Sequence, residues 1–101
     1  MVRSTPVNRE ALLEAAQLLT YRAAARVDAG HPEAAASVAK AKYHAALAAN
    51  HIVDECVQVF GGSGFLDETP VSRHYRDARV LRIGGGTDEI QLEILAKGLP
   101  A

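Results

Sequence analysis

Two glycine-containing segments carry the residue types in this sequence that most often meet a ligand. Gly84-Gly85-Gly86-Thr87 precedes two acidic residues at the start of a predicted helix. Free N–H groups and the helix dipole attract anions at such a start, so the segment could bind an anion. The alternative is a simple turn, which a short run of glycines by itself favours. Gln58 lies just before Phe60-Gly61-Gly62. This segment either presents the Gln58 amide and the exposed glycine backbone to a ligand, or it is only the C-terminal end of a helix.

Other residues with chemical potential favour ordinary structural roles. His44 and His51 are seven residues apart, and no acidic or cysteine ligand at the usual spacing completes a four-ligand set, so we expect no metal site. Cys56 stands among apolar neighbours and is predicted to be a core thiol rather than a nucleophile. No Ser-His-Asp or paired-carboxylate arrangement is present.

Arginines recur every three residues in the second half of the chain, at Arg73, Arg76, Arg79 and Arg82. Such a row is typical of phosphate binding. Acidic residues nearby, namely Asp67, Glu68 and Asp77, offer salt-bridge partners instead. We therefore predict a salt-bridged structural helix, with phosphate binding as the alternative.

Glycines and prolines divide the chain into four predicted helices. Two are long and two are short, over residues 6–27, 32–60, 70–80 and 88–97. Pro6 and Pro70 favour helix starts, Thr5 and Thr87 are predicted N-caps, and residues 61–69 read as a loop. Alternating β-branched runs and hairpin turns are absent. The sequence predicts an all-α protein.

Composition limits the classes of function. The 101 residues form one predicted domain, 49% of them hydrophobic, and 19 are alanines, which bury little surface each. The net charge of −1 gives no basic surface for nucleic acid or anionic lipid. No segment approaches a membrane span or a signal peptide, and a single cysteine fits a reducing compartment. We expect a cytoplasmic protein without nucleic-acid or membrane partners.

Taken in order, these segments resemble the C-terminal helical domain of the acyl-CoA dehydrogenases. The similarity runs from about residue 9 to residue 99. The stretches that carry it are Leu18-Leu19-Thr20-Tyr21-Arg22-Ala23-Ala24, Asp28-Ala29-Gly30, Ala39-Lys40-Ala41-Lys42, Val57-Gln58-Val59-Phe60-Gly61-Gly62-Ser63-Gly64-Phe65, Pro70-Val71, Tyr75-Arg76-Asp77-Ala78-Arg79 and Gly86-Thr87-Asp88-Glu89-Ile90-Gln91.

The resemblance implies a fold and an activity. The fold is an up-and-down antiparallel four-helix bundle, and the activity is FAD-dependent α,β-dehydrogenation of acyl-CoA thioesters in fatty acid metabolism. By position, Gln58, Gly61 and Gly62 match the loop that contacts FAD of a neighbouring subunit. Thr87 and Glu89 match cofactor-contacting residues. The family therefore implies FAD and a homo-oligomer, which we expect to be a two-fold dimer.

One position departs from the family pattern. Many members carry the catalytic glutamate immediately before the Gly-Thr, where this chain has Gly85. Other branches place the base on an earlier helix, which would precede Met1. We therefore expect no catalytic residue here, an inactive isolated chain, and only one edge of a flavin site. Activity would then need the remaining dehydrogenase domains from a separate chain; the alternative is a non-catalytic, self-associating bundle or the relic of a truncated gene.

Overall fold

The computed structural model describes the backbone of residues 4–99 and the side chains of residues 8–99. Within that range every regular element is helical, which confirms the all-α prediction. The elements are α1 (Ser4–Asp28), α2 (Ala34–Phe60), α3 (Gly62–Phe65), α4 (Pro70–Arg79), a 3-10 turn (Val80–Arg82) and α5 (Asp88–Lys97). Helix α1 begins at Ser4 rather than at Pro6, so Thr5 lies within the helix and is not the N-cap that the sequence predicts.

Helix α2 is the centre of the fold, because α1, α3, α4 and α5 all pack against it. The chain reverses between α1 and α2 at Gly30, whose φ is +64°. The reversal brings Arg26 back to the first turns of α2, where its Nη1 donates to Ser37 Oγ over 2.8 Å. The two long helices thus run as an antiparallel hairpin, and the short helices lie on the rest of α2.

The core consists almost entirely of alanines. The buried hydrophobic residues are Ala23, Ala39, Ala41, Ala46, Ala48, Val71 and Ala78. Among the described residues no large side chain is fully buried. Small side chains let helix axes approach closely, but each removes little apolar surface from water. The bundle is therefore held by close backbone contact rather than by large interlocking side chains.

The sequence of α2 predicts an apolar seam, which is only partly correct; its members are Val38, Ala41, Ala45, Ala48, Ile52 and Val59. Ala41 and Ala48 are buried, whereas Val38 and Val59 are 45% and 61% exposed. Ala39 and Ala46, which the seam omitted, are buried. Since α1, α3, α4 and α5 all pack against α2, the buried positions spread over more than one stripe.

Two further features differ from the sequence prediction, the start of α2 and the segment after it. Helix α2 begins at Ala34 rather than at Pro32, because Glu33 adopts φ −97° and ψ 13° and its N–H donates to His31 Nδ1 over 3.0 Å. The predicted loop over residues 61–69 contains the single-turn helix α3. Packing stabilises that turn, and a short glycine-rich sequence does not reveal it.

Gly64 explains how α3 fits. A Cβ at this position would lie 2.8 Å from the carbonyl oxygen of Val57 and 2.9 Å from Phe60 Cβ. Gly64 N–H donates to Gly61 O over 2.9 Å. Glycine is required here because any side chain would collide with the backbone of α2.

Many large apolar side chains remain exposed on this domain. Phe65, Leu99, Tyr21 and Leu18 are 83%, 71%, 66% and 62% exposed. Soluble proteins rarely leave large apolar patches bare. None of the described helices is apolar over enough residues to cross a lipid bilayer.

Candidate functional site

The first candidate segment is the glycine turn, defined here as Gly84 to Gly86, between the 3-10 turn and α5. Gly85 and Gly86 have φ of +70° and +96°, a region that L side chains rarely adopt. Gly84 N–H donates to Val80 O over 2.7 Å, which closes the preceding turn. The sequence prediction that this stretch is not helical is confirmed.

Lys42 fastens the glycine turn to the middle of α2. Its Nζ donates to the carbonyl oxygen of Leu81 over 2.8 Å and also to that of Gly86. Both acceptors are about forty residues away in the chain, so the contact is tertiary. Sequence reasoning missed this role, because a lysine among alanines on a long helix looks like any solvated charge.

Two further side chains hold the end of the turn. Gln91 is buried, and its Nε2 lies 3.4 Å and 3.5 Å from the carbonyl oxygens of Gly86 and Gly85. Asp88, also buried, accepts from Arg82 Nε over 2.6 Å at Oδ2. The turn is thus bounded by polar groups from α2, α5 and the 3-10 turn.

Thr87 is the N-cap of α5, as the sequence predicts. Its Oγ1 accepts the N–H of Ile90 over 3.2 Å, and its backbone is extended at φ −65° and ψ 166°. The hydroxyl proton stays available, since the cap uses the oxygen only as an acceptor. Glu89 is exposed in the first turn of the helix. Both residues therefore stand on the same accessible helix start.

The second candidate segment is the C-terminal end of α2. Gln58, Gly61 and Gly62 are all exposed there. Gly61 has φ +65° and ψ −142°, and its N–H is shared between the carbonyl oxygens of Val57 and Gln58 at 3.0 Å and 3.2 Å. A Cβ on Gly61 or Gly62 would meet nothing within 4 Å. The backbone here is open to a ligand.

The structure does not bring the two segments together. The glycine turn is attached at Lys42, and Gln58 lies sixteen residues farther along the same helix. At 1.5 Å per residue this is an axial separation of about 24 Å. The predicted cofactor residues therefore form two separate edges, rather than the single edge that the sequence led us to expect.

The prediction that the arginine row forms salt bridges with Asp67, Glu68 and Asp77 is wrong. Within residues 8–99 the ion pairs are Arg26–Glu33 at 3.6 Å and Arg82–Asp88 at 2.6 Å, and His51 Nε2 lies 3.0 Å from Glu55 Oε1. Only the last arginine of the row is paired, and with an acid that was not considered. Arg73, Arg76 and Arg79 instead line a cleft of about 900 Å³.

The histidines and the cysteine form no common site. His51 pairs with Glu55, while His44 Nε2 is buried without a hydrogen-bond partner. Cys56 is a free thiol of intermediate burial. In the part of the chain that the structure describes, no three His, Cys, Asp or Glu residues are placed to hold a metal ion.

Comparison with known proteins identifies the family of this chain. The family model for the acyl-CoA dehydrogenase C-terminal domain matches residues 1–99. The chain belongs to this family. It is 43% identical over 89 residues to a bovine short/branched chain specific acyl-CoA dehydrogenase. The aligned residues are 88% of this chain and 20% of the bovine protein.

Other relatives extend the same picture. A 3-(aryl)acrylate reductase of Clostridium sporogenes is 41% identical over 92 residues, 91% of this chain and 24% of that protein. Butyryl-CoA dehydrogenase from Megasphaera elsdenii superposes with a TM-score of 0.89 at 36% identity, and an acyl-CoA dehydrogenase structure from Mycobacterium smegmatis with 0.90 at 38%. In both cases the match covers 95% of this chain and 25% of the other. This acyl-CoA dehydrogenase domain thus spans a fifth to a quarter of the relatives that it matches.

Proposed function

We propose that this domain supplies two edges of the flavin sites of an FAD-dependent acyl-CoA dehydrogenase and has no activity by itself. The observation that carries the proposal is the separation of about 24 Å along α2 between the glycine turn and Gln58. The residues of both edges are exposed or half-buried, so neither edge encloses a ligand by itself. A ligand pocket buries most of its ligand, so further walls must come from other domains or from a second copy.

The residues at both edges fit a flavin dinucleotide. At α5, the first N–H groups have no intrahelical partner and suit a phosphate oxygen, while Thr87 keeps a hydroxyl proton to donate. At the end of α2, Gln58 offers an amide, and Gly61 and Gly62 let a ligand approach the backbone. When bound, FAD supplies the hydride acceptor; the protein groups here bind and orient it.

A proton-abstracting base is lacking at the position where many family members have one. Gly85 stands there, and general base catalysis needs a group within hydrogen-bond reach of the proton. The following acid, Asp88, is held by Arg82. Glu89 is four residues beyond Gly85, on an exposed helix surface. The domain therefore binds and positions, and we assign it no catalytic residue.

The first experiment uses the purified chain. We expect no tight FAD binding in a fluorescence titration and no acyl-CoA oxidation with an artificial electron acceptor, for the wild type and for Gly85→Glu alike. Without the other walls of the pocket, FAD binding should be weaker by several kcal/mol, and each 1.4 kcal/mol or so raises the dissociation constant about tenfold. A yellow, stoichiometric flavoprotein that turns over substrate would overturn the proposal.

The second experiment tests the two edges directly. The chain replaces the matched segment of the bovine short/branched chain enzyme, and the flavin content of the purified hybrid is measured by absorbance. Gln58→Ala and Thr87→Ala should each weaken flavin retention about tenfold, the effect of one hydrogen bond to a ligand. Gln17→Ala, an exposed amide on α1, is the control. Equal flavin content in all variants contradicts the assignment.

The exposed apolar side chains support self-association as part of the same proposal. In sedimentation equilibrium at tens of micromolar, above the dissociation constant of a specific dimer, we expect the mass of a two-fold dimer. A dimer buries apolar area that the monomer leaves in water. A monomer across that range would show that other domains of a dehydrogenase, rather than a second copy, cover these side chains.

A further inference from the structure

The cleft that contains the unpaired arginines lies between the end of α2, α3 and α4. Its volume is about 900 Å³, within the size range of small-molecule sites. None of the residues matched to flavin contacts, at positions 58, 61, 62, 87 and 89, lines it. The cleft is thus distinct from both edges described above.

One wall of this cleft is cationic. Arg73, Arg76 and Arg79 form its cationic wall, and no ion pair within residues 8–99 neutralises them. Guanidinium groups bind phosphate oxygens in bidentate fashion. Their spacing of three residues along α4 sets them about 4.5 Å apart along the axis, close enough for a diphosphate to contact two of them together.

The other lining residues suit the rest of a nucleotide. Phe65 is 83% exposed and Tyr75 is 44% exposed, so both offer ring faces on which a planar base stacks. Asp54 and Asp67 also line the cleft. Carboxylates repel phosphate but accept hydrogen bonds from ribose hydroxyls, as an acidic residue does in dinucleotide-binding folds.

We propose that the cleft lined by Arg73, Arg76, Arg79, Phe65, Tyr75 and Asp67 binds a nucleotide diphosphate, with phosphates on the arginines, ribose on the carboxylates and base on the rings. Inorganic phosphate would use the arginines alone. An acidic protein segment would use the arginines and the apolar rings but would be repelled by the two carboxylates. The mixture of charges favours the nucleotide over both.

The test titrates the full 101-residue chain with ADP, coenzyme A and pyrophosphate by isothermal calorimetry at low salt. ADP and coenzyme A should bind saturably, and affinity should fall as salt is raised. Arg73→Gln, Arg76→Gln and Arg79→Gln should each weaken ADP binding about tenfold or more, the effect of one charge-assisted hydrogen bond. Arg22→Gln, which changes an exposed arginine on α1, should leave binding unchanged.

The carboxylates separate the nucleotide from a simple anion. Asp67→Asn should weaken ADP binding severalfold yet strengthen pyrophosphate binding, because it removes a ribose acceptor and a repulsive charge together. Far-UV circular dichroism confirms that each variant is folded. Absence of ADP binding at millimolar concentration overturns the proposal, as does equal loss in Arg22→Gln. Loss of self-association in the arginine variants without any nucleotide binding overturns it in favour of an interface between protein chains.

Discussion

Gly86→Ala should destabilise the domain by about 3 kcal/mol in urea-induced unfolding. Two effects add at this position. Its φ of +96° is strained for any L side chain, which costs about 1–2 kcal/mol. A Cβ would also lie 2.6 Å from Nε2 of the buried Gln91, and displacing that amide leaves it without partners, for about 1–3 kcal/mol.

Gly84→Ala is the matched control, two residues earlier in the same turn. Its φ is not positive, and its nearest new contact is Val80 O at 3.5 Å, an ordinary van der Waals distance. We expect a change within about 0.5 kcal/mol, as for a tolerated surface substitution. Equal stability of the two variants would mean that the turn conformation contributes nothing to folding.

Lys42→Met should cost about 2 kcal/mol and free the glycine turn from α2. The ammonium donates to the carbonyl oxygens of Leu81 and Gly86, and hydrogen bonds from charged groups contribute about 1.5–3 kcal/mol. Methionine keeps the apolar stem but no donor. Urea unfolding measures the loss, and amide hydrogen exchange should accelerate most in residues 84–88.

Lys40→Met is the control for the removed charge, because Lys40 is exposed on the same helix two residues earlier. It should change stability by no more than about 0.5 kcal/mol. Lys42→Arg should recover part of the loss, since a guanidinium reaches the same carbonyls with different geometry. Uniform acceleration of exchange over all helices in Lys42→Met would contradict a local role for this lysine.

The helix pattern was largely predictable because glycine and proline act locally. Proline cannot continue a helix, and paired glycines end one, so the division into two long and two short helices follows from residue types. The cap at Thr87 is equally local, since it depends on one hydroxyl and the next turn. Helix α3 escaped prediction because it depends on the close approach of Gly64 to the backbone of Val57.

Side-chain partners were less predictable, and the arginine row shows why. Arg73 and Asp77 are four residues apart, but the base precedes the acid, the weaker orientation for such a pair on a helix. Arg82 instead meets Asp88 across the glycine turn. Lys42 reaches carbonyls in another part of the chain. Such contacts depend on tertiary placement, which spacing within one helix does not encode.

Helix α2 also fixes a distance in any assembly that contains this domain. Between Lys42 and Gln58 it has neither proline nor glycine and runs as one unbroken helix. The distance between the glycine turn and the Gln58 end is therefore fixed by the helix. Under the proposed function, the spacing of two flavins around the domain is set by the number of residues in that stretch. Inserting one residue would turn one end by about 100° relative to the other, because a helix has 3.6 residues per turn. A change in chain length outside that stretch leaves the distance along α2 between the glycine turn and Gln58 unchanged.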